Sequence, residues 1–206
     1  MSNHHDNTTV PLSDHGLIRG AIGLAAIAVI GCGLLYSLAG VGLGQILFPV
    51  EANGSLLRQN DRTVGSSLVA QPFADAGYFQ PRPSAVDHDP MSAAGSNQAR
   101  THPELHQRLH TAQAAAAQRE GIDLSAVPGD FVTQSGSGID PHISPQAAAI
   151  QVNRIARARH LDHNELEDLI VRHTRDRQLG MLGQPRVNVL ELNLALDRHI
   201  TDAQTF

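Results

Sequence analysis

Lysine and tryptophan are absent from this 206-residue chain, and cysteine occurs once, at position 32. A single thiol cannot form an internal disulfide, so apolar packing alone must hold the fold. Aromatic residues make up 3% of the sequence, with Phe73, Tyr78, Phe79 and Phe131 the only ones between residues 50 and 200. The core is therefore expected to be small and aliphatic, in one domain of ordinary size. All fifteen basic residues are arginines, they form no run, and the formal net charge is −5. Nucleic acid is not an expected partner of such a surface.

Charge is missing altogether from residues 20–50, a thirty-one-residue apolar stretch bounded by Arg19 and Glu51. As a helix it would reach about 45 Å, more than the roughly 30 Å of a bilayer core. A backbone crossing lipid must satisfy its own hydrogen bonds, which makes this segment a helix. The apolar core of a cleaved signal peptide runs only about 7 to 15 residues. Residues 29–32 resemble the box in which a cysteine is lipidated, but the chain stays apolar after Cys32, where a lipidated end normally turns polar. The reading is an uncleaved anchor. Gly33, Ser37, Gly40 and Gly44 fall at helical spacing on one face, where small residues let a second helix approach closely. One arginine precedes the segment and Arg58 and Arg62 follow it, a charge balance that does not orient it, because large domains cross regardless of nearby charge.

After this segment the sequence turns polar. Residues 55–58 and 63–70 read as two short strands around a turn at 59–61. Residues 74–100 carry prolines, glycines and serines without periodicity and form a long irregular stretch. A helix is expected from Pro103 to just before Gly121, burying Leu105, Leu109, Ala112 and Ala116. Residues 131–134 read as a strand followed by a glycine-rich loop. Ser144 and Pro145 cap and open a second helix with Ala148, Val152, Ile155 and Ala156 on one side. Asp162 and Glu165 form a capping box for a third, with Leu161 and Leu166 at staple positions and Leu166, Leu169 and Ile170 inward. The final segment alternates like a strand and then becomes a helix near Asn188.

Residues 135–144 are the richest candidate site. Gly136 and Gly138 can adopt positive φ, which would let successive N–H groups cradle an anion before a helix N-terminus. The competing reading is a strand-to-helix turn in which Ser144 is simply the cap. Ser137, Asp140 and His142 include the residue types of a hydrolytic triad, but three residues this close in sequence rarely meet correctly, and no G-x-S-x-G elbow is present. His102, His106 and His110 recur along the first soluble helix without a cysteine or carboxylate to complete a metal site. His4 and His5 lie in the polar N-terminal tail. Pro81 and Pro83 fix the backbone around Arg82, which suits either a docking surface or a rigid connector. Residues 95–97 are a turn signal with the same double reading.

Residues 64–67, 78–85, 95–97, 132–145 and 184–197 together resemble the C-subunit family of the bacterial high-affinity potassium-transporting Kdp ATPase. They occur in order behind one N-terminal span; Ala94, Gln134 and Asn153 depart from the residues that family tends to carry. The resemblance implies an α+β protein with a single transmembrane helix and one mixed extracytoplasmic domain. The implied organisation is a disordered cytoplasmic tail over 1–14, a membrane helix region over 15–48, the domain over 49–200 and a tail over 201–206. It further implies a non-catalytic subunit of an inner-membrane complex, with a channel-like potassium-binding subunit, a P-type ATPase subunit and a further small membrane subunit as partners, besides lipid. Its place would be near the outer mouth of the channel-like subunit. No cofactor is expected on this chain; ATP and magnesium belong on a partner, since the phosphorylated D-K-T-G-T segment is missing. The motif-bearing positions are Arg82, Pro83, Ser84, Gly95, Ser96, Asn97, Ser135, Gly136, Ser137, Gly138, Asp140, Pro141, Ser144, Arg186 and Asn188. Two other functions compete: an ATP-binding regulator that raises the pump's nucleotide affinity, and a membrane-anchored sensor or solute-binding domain.

Overall fold

A computed structural model describes residues 14–204, and the chain divides into two compact units, Met1–Asn53 and Gly54–Phe206. Of the tail read over 1–14, residues 1–13, with the histidines at 4 and 5, lie outside the described residues, and Asp14 is the first residue of a helix.

The first unit is helical. α1 (Asp14–Ala28) passes through a π-helical segment (Val29–Leu35) into α2 (Tyr36–Leu47), giving 32 continuous helical residues over Gly16–Leu47 with mean hydropathy 2.2. That length and composition suffice to cross a membrane. The π winding is closed by the Tyr36 N–H donating to the Gly31 carbonyl, five residues back. It falls where Gly31 and Gly33 leave the backbone most permissive. A short helix, α3 (Pro49–Ala52), follows, with Pro49 at its first position.

The second unit opens with a hairpin, β1 (Leu56–Gln59) and β2 (Arg62–Ser66), paired antiparallel with an irregularity between Leu57 and Arg58. Asn60 and Asp61 both take positive φ, the geometry of a tight two-residue turn and one those side chains tolerate. α4 (Pro103–Glu120) has the expected bounds, with Pro103 at its first position and Gly121 in the left-handed region at its end. The strand expected over 131–134 is a correction: residues 129–131 form a 3-10 turn after Pro128, and Phe131 is buried in the core without a strand partner. The strand lies later, at β3 (His142–Ile143).

The second helix is also corrected, from one helix to two. α5 (Pro145–Ala149) and α6 (Val152–Arg159) are separated at Ile150 and Gln151. α7 (His163–His173) starts at Asp162, whose carboxylate accepts the Asn164 N–H at 2.7 Å. Glu165 does not return to complete the box; its carboxylate faces His199 Nε2 at 3.5 Å. β4 (Thr174–Arg175) and β5 (Arg186–Asn188) follow, and β5 passes directly into α8 (Val189–Gln204). β5 is the centre of a three-stranded antiparallel sheet ordered β3-β5-β4. The core gathers Ile143, Ile155, Leu166, Val187, Leu192 and Leu196, all nearly or fully buried, around Phe79. Burying each such side chain contributes about 1.5–3 kcal/mol. This unit is α+β, as the sequence implied.

Candidate functional site

Phe79 and Gln80 have no strand partner, yet their backbone groups are paired as in a sheet. The Asn193 side chain accepts the Phe79 N–H (2.9 Å) and donates to its carbonyl (3.0 Å). Gln151 does the same for Gln80, at 2.8 and 3.2 Å. Two buried amides therefore clamp consecutive residues of an otherwise irregular segment, satisfying groups that would be costly to bury unpaired. Arg154 reinforces the clamp by donating to the carbonyls of Ala76 and Tyr78 and to Gln151 Oε1. Its charge is balanced by the fully buried Glu120 carboxylate at 2.9 Å. Next to it, Arg159 stacks over the Tyr78 ring, and both side chains contact Asp197.

The clamp delivers residues 81–84 onto the loop at 135–144. Arg82 pairs with Asp140 (3.1 Å) and its other terminal nitrogen lies 3.4 Å from the carbonyls of Thr133 and Gln134. The Pro83 carbonyl accepts the Ser135 N–H. Ser84 Oγ donates to the Gly138 carbonyl (2.6 Å) and accepts the N–H groups of Val86 and His88. The third segment, residues 94–97, closes on the same loop. A side chain at Gly95 would sit 2.7 Å from the Gly136 carbonyl, so only glycine permits this approach. Gly138 has φ +73°, and a Cβ there would meet Val86 and the Ala94 carbonyl at 2.5 and 2.7 Å. Ser96 and Asn97 complete the turn, Asn97 with positive φ and Ser96 Oγ 3.4 Å from Arg108 on α4. Gly136, in contrast, is not among the positive-φ residues, so the successive-N–H cradle expected from both glycines does not form as drawn.

Asp140 joins the network through His142, whose backbone N–H and ring Nδ1 lie 3.0 and 3.1 Å from its carboxylate. Burial acts to raise the Asp140 carboxyl. The hydrogen bonds from His142, with the positive charges of His142 and Arg82, outweigh it and hold the group below its ordinary value. Ser137 does not join this pair: its hydroxyl lies against Ser135 Oγ and the Ile139 N–H. Asp130 accepts the Ser144 N–H and hydroxyl at 2.8 and 3.0 Å, while Ser144 Oγ caps Ala147. The anion at the start of α5 is therefore the chain's own. Together Asp140 and Asp130 take the N–H groups of His142 and Ser144, which flank β3 on the side away from β5, so no further strand can pair there.

Pro141 and Asn188 tie the loop to the sheet. The Pro141 carbonyl accepts the Val189 N–H (3.0 Å), and Asn188 caps Glu191 while donating to the Ser67 carbonyl (2.7 Å). Arg186 lines an open groove of about 490 Å³ with Arg82, Asp130, Asp140, His142 and Ser144. Elsewhere, His102 precedes α4 and His106 and His110 lie exposed along it; among the described residues no three His, Cys, Asp or Glu side chains converge as a metal ion would require. In the N-terminal helix, Ser37, Gly40 and Gly44 lie on α2 and Gly33 in the π segment, where a turn takes more than four residues. A Cβ at Gly33, Gly40 or Gly44 would meet nothing within 4 Å of this chain. Cys32 is exposed in the same helix.

Gln151, Asn193, Arg154, Glu120, Asp130 and Asp197 were not singled out by the sequence reading. The available signal was a polar residue on an otherwise apolar face, as at Asn193 between Leu192 and Leu196.

A family model described as the K+-transporting ATPase, c chain, matches residues 18–198. Among curated proteins, one from Xanthomonas campestris pv. campestris named potassium-transporting ATPase KdpC subunit is 55% identical over 192 residues, covering 93% of this chain and 92% of its own. Proteins of the same name from Citrifermentans bemidjiense and Shewanella putrefaciens are 46% and 41% identical, covering 87% and 93% of this chain and 96% of each relative.

Proposed function

The chain belongs to the KdpC family, the c chains of the K+-transporting ATPase, and on that premise we propose that it is a non-catalytic accessory subunit of a potassium uptake complex. In this reading the helix over Gly16–Leu47 anchors it once in the inner membrane, with the N-terminus cytoplasmic and the second unit outside. There it stabilises the assembly near the external mouth of a channel-like potassium-binding subunit. A P-type ATPase subunit, which holds ATP and magnesium, and a further small membrane subunit complete the partners.

One observation carries the non-catalytic role. The polar side chains of the loop at 135–144 and of residues 82–84 are engaged in holding this chain's own backbone. Ser84, Ser144, Arg82 and Asp130 each bridge two segments, and Ser137 is turned away from the Asp140–His142 pair. A nucleophile, a base and an open place for a reacting atom are not assembled. The groove beside the loop sets the carboxylates of Asp130 and Asp140 against the guanidinium groups of Arg82 and Arg186, which leaves no excess of positive charge for a polyphosphate.

The test is potassium-stimulated ATP hydrolysis by the assembled complex. Ser137→Ala is expected to leave turnover within about three-fold of wild type, well under 1 kcal/mol of barrier. Gly138→Val should instead lower recovery of the folded subunit, because its side chain has no space and its φ is unfavourable for a β-branched residue. Abolished turnover in a fully assembled Ser137→Ala complex, or specific crosslinking of labelled ATP to this loop, would overturn the reading in favour of a nucleotide-binding subunit.

A further inference from the structure

A second cavity in the domain, of about 250 Å³, shares no residue with the groove beside the loop at 135–144. Three elements bound it: β1, the end of α7 and one face of α8. Glu191, Leu194 and Arg198 are three and four residues apart, so helical periodicity stacks them on a single face of α8. From β1 come Leu57, Arg58 and Gln59, although a regular strand turns only alternate residues to one side. The register irregularity between Leu57 and Arg58 re-aims the strand at that point. His173 supplies the remaining wall. Its Nδ1 donates to the Leu169 carbonyl at 2.9 Å, and its Nε2 has no partner among the described residues.

The charges around this cavity do not cancel. Glu191 is the one carboxylate among its lining residues, and Arg175 already holds both its oxygens, at 2.9 and 2.8 Å. Arg58 makes no ion pair among the described residues. Arg198 spends only Nε, on the Leu194 carbonyl of its own helix (3.2 Å), which folds the guanidinium back along α8 and leaves its terminal nitrogens free of any carboxylate there. Two guanidinium groups thus border one cavity without a counter-charge, in a chain whose formal net charge is −5. In the groove beside the loop, by contrast, two carboxylates stand against two arginines. We propose that this cavity binds a phosphate group between Arg58 and Arg198, with Leu57 and Leu194 as the apolar part of its wall. A carboxylate has two oxygens, and one guanidinium satisfies both, as Arg175 does for Glu191. Two guanidinium groups from separate elements suit an anion with further oxygens. The cavity is smaller than the roughly 300–1,000 Å³ that encloses a drug-sized ligand. It therefore takes inorganic phosphate or the phosphate end of a larger molecule, not a whole nucleotide. The proposal rests on this cavity alone and does not depend on the complex.

The experiment follows thermal unfolding of the full chain in a non-ionic detergent by circular dichroism, with sodium phosphate against sodium chloride at matched ionic strength. Phosphate at about 10 mM should raise the midpoint by roughly 2 °C or more, as a ligand present above its dissociation constant does. Arg58→Gln and Arg198→Gln should each remove about half of that shift or more, and the double variant all of it. Both side chains are exposed and make no ion pair, so these variants should fold as the wild type does. Arg157→Gln is the control. Arg157 makes the same backbone bond on α6, to the Asn153 carbonyl, but no second arginine lines its cavity, and its loss should keep the full shift. Phosphate also stabilises folded proteins by exclusion from their surfaces, and that effect would be equal in every variant. An equal shift in the wild type and the double variant would overturn the proposal. So would no shift of the wild type with either inorganic phosphate or a soluble short-chain phosphatidylglycerol. A variant-sensitive shift with inorganic phosphate names the free ion as the occupant, and one with the short-chain lipid alone names a headgroup phosphate. Subunit assembly does not enter the measurement, so this inference can fail without the family function failing.

Discussion

Leu34 and Leu192 are the same side chain in opposite circumstances. Leu34, in the N-terminal helix, is 52% exposed, and no residue of the membrane-length window around it is buried; Leu192, on α8, is wholly inside. The second unit uses its apolar residues against one another and its buried polar residues as clamps. Among the described residues the first uses none of its apolar residues internally, and the glycines on α2 face open space. An apolar sequence therefore has two meanings here: in the domain it identifies what is packed, and in the helix it identifies what the surroundings must be. Mutations should act on different quantities in the two regions, stability in one and association in the other.

The largest expected effect is on the domain. Glu120→Ala leaves the guanidinium of Arg154 buried without its counter-charge and should cost about 3–5 kcal/mol. It should also loosen the segment at 76–80 that Arg154 holds, read as a lower unfolding midpoint by circular dichroism. Leu34→Ala should leave the same midpoint unmoved. If the two variants shifted it equally, the division between regions would fail.

Gly40→Leu and Gly44→Leu should do the opposite, leaving domain unfolding unchanged while lowering recovery of the intact complex in detergent. Helix association in lipid rests on close packing, which a leucine at either position would prevent. Leu34→Ala, off that stripe, should reduce recovery less. Equal recovery of all three would remove the small-residue face as a contact.

The smallest effect is a pH dependence confined to the domain. The folded carboxyl of Asp140 titrates below its ordinary value of 3.8, so its contribution is fully present above that value. It is lost as pH falls through the lower, folded value. Asp140→Asn should lower the unfolding midpoint at neutral pH, and the gap from wild type should narrow below about pH 4. A constant gap across that range would show that the Arg82–Asp140–His142 network is not what the carboxylate stabilises.

Local chemistry made much of the domain readable. Pro103 and Gly121 bound α4, Asp162 starts α7, the turn at Asn60 and Asp61 sets the first hairpin, and Asn188 marks where β5 becomes α8. Each of these depends on residues a few positions apart. The failures depend on distant ones. Phe131 looks like a strand residue, but the N–H groups a partner strand would need at His142 and Ser144 are taken by Asp140 and Asp130. The helix from Pro145 breaks at Gln151, whose N–H turns to the Ala148 carbonyl while its side chain takes that of Ala147 and serves Gln80, 71 residues earlier. The convergence of residues 82–84, 95–97 and 135–138 could be anticipated as a set of motifs, but not as a contact. Which hydroxyl meets which carbonyl is decided by tertiary placement.

The proposed non-catalytic role depends most directly on which side of the membrane the second unit lies, since an extracytoplasmic domain would not meet cytoplasmic ATP. A single cysteine at exposed Gln118, in a Cys32→Ser background, should react with a membrane-impermeant maleimide in intact spheroplasts as fully as after permeabilisation. Labelling only after permeabilisation would place the domain in the cytoplasm and contradict the account.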